Sequence, residues 1–308
     1  MKKKNIFLAL FVLVVGAITI NAQSYNLKYN LKKGQDYRFY QETKMKIVQS
    51  LGFIDQEINN EFKGITRFTP VGNEGSNIVL NTSFESMIVS VKSMMFNLDY
   101  DSSKPLDPND NMAKLYSAVI GKDFKMVITP QGKVLRIEGI DRIIHEAVKS
   151  MENVQPQMAA MMRKTLSSHF GAEALTGNMA MLLSIYPVAN KKVGDNWSTS
   201  TKLASGLNAD LNNTWTLADA SNKQWKLKGN GNITTEGGET EMNGMKMNIN
   251  LTGNQDSEFV LSQNDGWFVS GKQKQQIQGV VSMKGNAQMP QGMEIPMKVT
   301  LSTYLEKR

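Results

Sequence analysis

Two histidines, His145 and His169, are the whole imidazole supply of this 308-residue chain, and cysteine is absent. That removes disulfides, thiolate metal sites and cysteine nucleophiles together, and leaves little material for a general base or a zinc cage. His145 opens the string HEAVK, one residue short of the zinc-protease motif. The motif needs a second histidine at i+4 so that both imidazoles face one metal. Lys149 stands there instead, a cation where a ligand belongs, and the string reads as a solvated helix face shared with Asp141. No Gly-x-Ser-x-Gly elbow and no Gly-x-x-x-x-Gly-Lys phosphate loop occurs. Gly229 and Gly231, in KGNGN, are a glycine pair inside a strand pattern. Single carboxylates are scattered through the strands, and two of them meeting in a cleft would make a carboxylate-based enzyme. From so sparse a catalytic vocabulary the expectation is a protein that is not an enzyme and that carries no cofactor and no metal.

Methionine is the compositional oddity, at 20 residues. Met242, Met245 and Met247, then Met289, Met293 and Met297, offer thioethers of the kind that bind copper(I). Met245 and Met247, however, share a parity with Ile249 and Leu251, and Met293 and Met297 share one with Ile295. They read as packing residues. A second group, Met158, Met161, Met162 and Met179, falls in a stretch with helical periodicity. Flexible thioethers there suit contact with an irregular apolar partner, and Met158, Met162, Leu166, Met179 and Leu183 are the candidate ligand-binding residues. Alternatively these helices plug the sheet and complete its core.

The elements that position these residues begin after a leader. The chain opens MKKKNIFLALFVLVVGAITINAQ, with three lysines before an apolar run and Ala22 before a cut at Gln23. This is the layout of a Sec-type signal peptide over residues 1–22, and its apolar run is shorter than the roughly 20 residues that span a bilayer. With no cysteine after the cut there is no lipoprotein anchor. The expected location is the periplasm or the extracellular space, with no transmembrane anchor once the leader is gone. Losing three lysines takes the formal charge from +7 to about +4, too mild and dispersed for a nucleic-acid binder.

From Ser24 to about Phe96 apolar residues recur at period two, as in half-buried strands: Tyr25, Leu27, Tyr29 and Leu31, then Tyr37, Phe39, Met45 and Ile47. In the loop DYDSSKPLDPNDN, Asp107 is expected to cap a helix opening at Pro108, rather than to bind calcium. FKMVITPQGKVLRIEG reads as a hairpin about Pro130-Gln131-Gly132. Residues 139–187 change to helical spacing, with Ile140, Ile143, Ile144, Ala147 and Val148 on one stripe, Pro156 opening a second helix and Pro187 ending a third. Alternation then returns to the C-terminus, with Asn243-Gly244 as a hairpin turn. LKKGQDY before the first meander and NKKVGDNW before the second each place a glycine, an aspartate and an aromatic at a strand start.

The predicted fold is α+β and predominantly antiparallel β: two meanders forming a curved sheet or half-barrel, with a central helical insert on the concave side. Residues 23–138 form an N-terminal β-rich half with one short helix, 139–187 the insert and 188–308 the C-terminal half, together one composite domain.

Three phrases carry a resemblance: IGKDFKMVITPQGKVLRIEG (Ile120 to Gly139), KVGDNW (Lys192 to Trp197) and GMEIPMKVTLST (Gly292 to Thr303). The chain resembles an uncharacterised family of exported proteins of Bacteroidota-type bacteria, labelled a domain of unknown function. The resemblance implies export and a β-rich fold with a helical insert, and it brings no assigned active site.

Three functions compete on these grounds. The leading expectation is an exported, non-enzymatic protein that binds a lipid-like, hydrophobic or amphipathic ligand under the helical insert. A cupped sheet closed by helices is the general build of periplasmic lipid carriers, an analogy of fold alone. The alternative is a cell-envelope interaction module that meets a protein or glycan partner. A carboxylate-based enzyme is third.

Overall fold

The computed structural model describes residues 23–308, except 53, 95, 108, 152–154, 204–208, 236, 238, 243, 244 and 286–291. The leader, Pro108, the Asn243-Gly244 turn and Met289 lie outside the described residues, as do the side chains of Met242 and Met245.

Period-two alternation is realised as long antiparallel strands. In the first half these are β1 (Tyr37–Leu51), β2 (Ile54–Glu74), β3 (Asn77–Ser93), β4 (Asn97–Asp101), β5 (Phe124–Ile128) and β6 (Val134–Glu138). In the second they are β7 (Asn196–Leu203), β8 (Ala209–Asp219), β9 (Gln224–Thr235), β10 (Glu239–Met242), β11 (Met245–Ser262), β12 (Phe268–Met283) and β13 (Met293–Lys307). They pair in one open sheet of thirteen strands, in the order β6-β5-β3-β2-β1-β13-β12-β11-β9-β8-β7, with β4 on β3 and β10 on β11. The two runs of strands are joined by β1 and β13, which pair from Phe39–Lys307 to Gln49–Met297.

Among the described residues the helices between β4 and β7 are α1 (Asn111–Ser117), α2 (Ile140–Lys149), α3 (Pro156–Phe170) and α4 (Ala172–Leu183). Helix α4 buries Ala174, Leu175, Met179, Leu182 and Leu183, and packs against both β6 and β7. Those are the strands at the two ends of the sheet, so the sheet curls until one helix spans the gap between its edges. An apolar sequence nearly all round, AEALTGNMAMLL, suits a helix with protein on several sides.

Three expectations are corrected. Asp107 does not cap α1: Asp110 does, accepting from Ala113 N–H at 2.9 Å, while Asp107 accepts from Asn109 N–H in a local turn. The two aspartates have the same capping chemistry, and the helix starts at the one nearer its apolar face. Helix α4 ends at Leu183, before Pro187, because Ser184 leaves the helical backbone at φ −81° and ψ 66° and the Tyr186 N–H bonds to Gln131 C=O at 3.4 Å. The alternating run Tyr25, Leu27, Tyr29, Leu31 is not a sheet strand. It is a strap across strand ends, with Tyr25 bridging Lys191, Tyr29 N–H donating to Pro130 C=O (2.8 Å) and Asn30 N–H to Asp265 C=O (2.9 Å). Alternation arises because Leu27 and Tyr29 point into the core.

That core holds the aromatic rings. Trp267 touches Tyr29, Tyr37, Phe39, Phe68 and Phe268, with ring centroids 5.1–6.1 Å apart. The Tyr29 hydroxyl donates to Leu183 C=O (3.2 Å) and the Tyr186 hydroxyl to Gly266 C=O (2.6 Å). Burial pushes both phenols well above the ordinary tyrosine range, so they remain protonated donors. At the start of β1 and of β7, Gly34 and Gly194 adopt positive φ, the shared turn behind the two Lys-Lys-Gly phrases.

His169, on α3, lies against the buried Tyr116 of α1 and keeps part of its ring exposed, with Nδ1 3.2 Å from the Tyr116 hydroxyl. Partial desolvation lowers the imidazole, and burial pushes the Tyr116 phenol up to about 12. The unfolded chain therefore takes up the His169 proton near pH 6.5, at a higher pH than the folded protein does. Below that pH the unfolded state binds more protons, so stability falls with acidity until the folded-state imidazole titrates as well. Solvent screening at the partly exposed ring keeps the effect well below the linkage of a whole proton. Urea unfolding at a series of pH values should show this loss, and His169→Gln should flatten it.

Candidate functional site

Register assigns every strand residue to a face. In β1, β2, β7, β8, β9, β11, β12 and β13 the inward positions, strand ends apart, are apolar, glycine or uncharged polar residues. The carboxylates project outward to cations: Glu42 to Lys44 (2.9 Å), Glu57 to Lys46 (2.6 Å), Glu61 to Lys63 (2.9 Å) and Glu85 to Arg38 and Arg67 (2.9 and 3.3 Å). A shallow cavity of about 250 Å³ between β1, β13 and β12 is lined mainly by outward side chains, including Lys44, Lys272, Lys274 and Tyr304.

Along the strands the concave face has three levels. The first is the aromatic core with its helices. Above it runs a belt of neutral hydrogen-bonding groups. Gln41 donates to Thr43 (2.9 Å), and the Thr43 and Thr303 hydroxyls are 3.0 Å apart. Gln273 donates to Ser257 (3.5 Å), Gln275 to Gln255 (2.6 Å), and Gln255 to Asn213 (3.1 Å). Asn213, Gln255, Ser257, Gln273, Gln275 and Thr303 are all buried. Gly229 and Gly231 face Trp215 and Asn213 across the β8–β9 pair. A Cβ at Gly229 would lie 2.5 Å from the Trp215 ring and one at Gly231 2.1 Å from Asn213 Oδ1. The glycines of KGNGN thus make room for the belt and the ring beneath it.

The third level is apolar. Met247, Ile249, Leu251 and Val281 form a buried cluster, against which Ile277, Met283, Ile295 and Met297 pack. Beside it Met45, Ile47, Ile58, Val299 and Leu301 are half-buried on adjacent inward positions, with Met45 opposite Leu301, and Ile47 opposite both Val299 and Ile58. These five apolar side chains face the hollow and keep part of their surface open to solvent.

Of the residues singled out from sequence, Met162, Leu166, Met179 and Leu183 come together, but inside the main core at 0–5% exposure. Met158 is separated from them on the surface, half-exposed beside Met161. From α4 it is Met181 that reaches the hollow, near Ala209, Leu211, Ile233 and Ile277 and 3.8 Å from Gln275 Nε2. Met247 and Met297 belong to one apolar cluster. His145 sits on the exposed face of α2 with Asp141 and Lys149, and Asp141 accepts from Ala172 N–H at the start of α4 (3.1 Å). Among the described residues no group of three or more His, Asp or Glu side chains is placed to hold a metal ion. No described helix is long and apolar enough to cross a membrane.

No curated protein matches this chain. Solved structures similar to it include the Salmonella typhi porin OmpF in complex with daunomycin, at 6% identity and a TM-score of 0.23, covering 88% of this chain and 98% of that one. Pseudomonas aeruginosa OccK5 (OpdH) follows at 5% identity and a TM-score of 0.23, covering 89% and 98%. A DUF1329 family protein from Desulfovibrio piger matches at 9% identity and a TM-score of 0.15, covering 89% and 85%. Scores this low establish no shared fold and transfer no function. The helical block and the KVGDNW and TPQGK turns fall within a family match that covers well over half the chain: residues 75–268 match the family of unknown function DUF6263, to which this chain belongs.

Proposed function

We propose that this is an exported, non-enzymatic protein that binds a neutral or weakly polar amphipathic ligand, lipid-like in character, on the concave face of its sheet. The observation that carries this is the concave face, where, among the described inward positions and strand ends apart, a half-open apolar patch (Met45, Ile47, Ile58, Val299, Leu301) adjoins a belt of neutral amides and hydroxyls. Apolar area still open to water is free energy available to a ligand, at about 25 cal/mol per Å² buried. Neutral amides beside it would orient an ester, amide or hydroxyl group without the desolvation cost of an ion. Among the described residues, strand ends apart, the inward positions of these strands carry no carboxylate, imidazole or amine, and the groups they do offer are suited to binding. Because Met162, Leu166, Met179 and Leu183 are buried in the main core, the ligand rests on the sheet wall beside Met181 rather than among them.

Native mass spectrometry of protein purified from its own cells without detergent tests the reading. The expected result is a mass excess that organic solvent strips as lipid, and that falls at least about tenfold in Ile47→Lys and Val299→Lys, which put a cation on the patch. A clean ligand-free mass in the parent protein would overturn the carrier reading and favour an envelope interaction module.

A further inference from the structure

The concave wall ends in a rim with an unusual composition for hairpin tips. Leu51 and Ile54 flank the β1–β2 turn at 38% and 59% exposure, Met94 and Phe96 the β3–β4 turn at 76% and 51%, and Met293 begins β13 at 36%. Turns ordinarily carry polar residues and glycine, and three neighbouring hairpins presenting Leu, Ile, Met and Phe to water expose area that a soluble surface avoids.

The three tips stand at one end of the sheet. Counted outward from the Gln49–Met297 pair, Met293 is four residues beyond and Leu51 two. Met94 follows Ser93, which pairs with Ile58, two residues inward of Gln56, the partner of Gln49. The tips therefore retreat steadily from β13 through β1 and β2 to β3. A curled sheet with strands tilted by about 35–45° needs a stagger of this kind, roughly one to two residues per strand, to bring its hairpins to a common level.

From this arrangement we propose that the rim docks on the surface of a lipid bilayer, with Ile54, Met94 and Phe96 inserted among the acyl chains. This goes beyond the ligand reading and stands without it. Separate tips around a curved rim make a poor continuous interface for a protein but enter a soft apolar phase individually. The charges behind them fit as well. Lys92 and Lys298 face outward below the tips and form no ion pair among the described residues, leaving them for lipid phosphates. Of the nearby acids, Glu57 is held by Lys46 at 2.6 Å and Asp55 accepts from Ser50 at 2.6 Å. Glu294 is a rim acid without such a partner among the described residues.

The cysteine-free sequence supplies the test. Ile54→Cys, Phe96→Cys and, as a control, Val188→Cys, which replaces an 88%-exposed valine in the loop after α4, are each labelled with an environment-sensitive fluorophore. They are mixed with vesicles of phosphatidylethanolamine and phosphatidylglycerol, using protein purified in the processed form in which it accumulates. Blue-shifted emission at 54 and 96 and none at 188 is the expected result. Ile54→Ser/Met94→Ser/Phe96→Ser together should lower vesicle partitioning on the order of a hundredfold. Equal shifts at all three sites, or none at the tips, would overturn the proposal, as would unchanged partitioning of the triple variant. The Val299→Lys variant, altered on the concave patch and not on the rim, should still partition, so this result is read separately from loss of ligand.

Discussion

Gly132→Ala is expected to destabilise the protein by about 3–5 kcal/mol, enough to leave much of it unfolded at physiological temperature. Gly132 ends the β5–β6 turn with φ +88°, a backbone region that costs an L-residue energy in itself. The greater obstacle is space. A Cβ there would lie 1.7 Å from Leu183 O and 2.7 Å from the Tyr29 ring. Neither neighbour is free to retreat, since Tyr29 donates to Leu183 C=O and Ser184 donates to Gly132 C=O (3.1 Å). The turn, the end of α4 and the N-terminal strap meet at this point, and the methyl group would part all three. Urea denaturation measures the loss. Gly72→Ala, at a β2 position with nothing within 4 Å of the added carbon, should cost less than about 1 kcal/mol, and equal losses at the two positions would refute the steric account.

Trp267→Ala should cost a similar amount, about 4–5 kcal/mol, for a different reason. The indole is fully buried and is shared by the strap (Tyr29), β1 (Tyr37, Phe39), β2 (Phe68) and β12 (Phe268). Its N–H donates to Arg38 C=O at 3.3 Å, so truncation leaves a large cavity and a backbone carbonyl without this donor. Strands that all pack on one ring cannot close on the void without shifting register. Trp267→Phe keeps most of the volume and should recover half or more of the loss. A Trp267→Ala variant within about 1.5 kcal/mol of the parent by thermal and urea unfolding would show that the ring does not organise this core.

The architecture was legible from sequence because its cause is local. Tyr37, Phe39, Met45 and Ile47 alternate because one face of β1 meets the core, and Ile140, Ile143, Ile144, Ala147 and Val148 repeat at helical spacing for the same reason. The strap has the pattern of a strand because alternation records which side chains are buried and says nothing about what the backbone bonds to. The belt left no signal. In KQKQQIQ of β12, Gln273 and Gln275 point inward while Lys272, Lys274 and Gln276 point out, so both faces look polar, and burial of the amides depends on Gln255 and Asn213 far away in the chain. The candidate residues chosen on the helices shared an apolar stripe, which identifies burial but cannot tell a packed interior from a ligand cavity. The open patch was out of reach for a related reason. Ile47, Val299 and Ile58 gather only once the first and last strands are paired.

That pairing also sets the order in which the molecule can be made. β1 and β13 lie side by side at the middle of the sheet, yet they are among the first and last parts of the fold to leave the ribosome. Until residues 293–307 exist, β1 and β12 each present a long row of unpaired amides and carbonyls, and the two halves of the sheet have no ladder between them. Contacts of such sequence separation slow folding, because loop closure precedes the contacts that offset it. A chain that lacks residues 293–307 is therefore incomplete at its centre rather than at its margin, with two sticky edges where the finished protein has none. The C-terminal strand acts as the keystone: set last, in the middle, it lets both flanks stand.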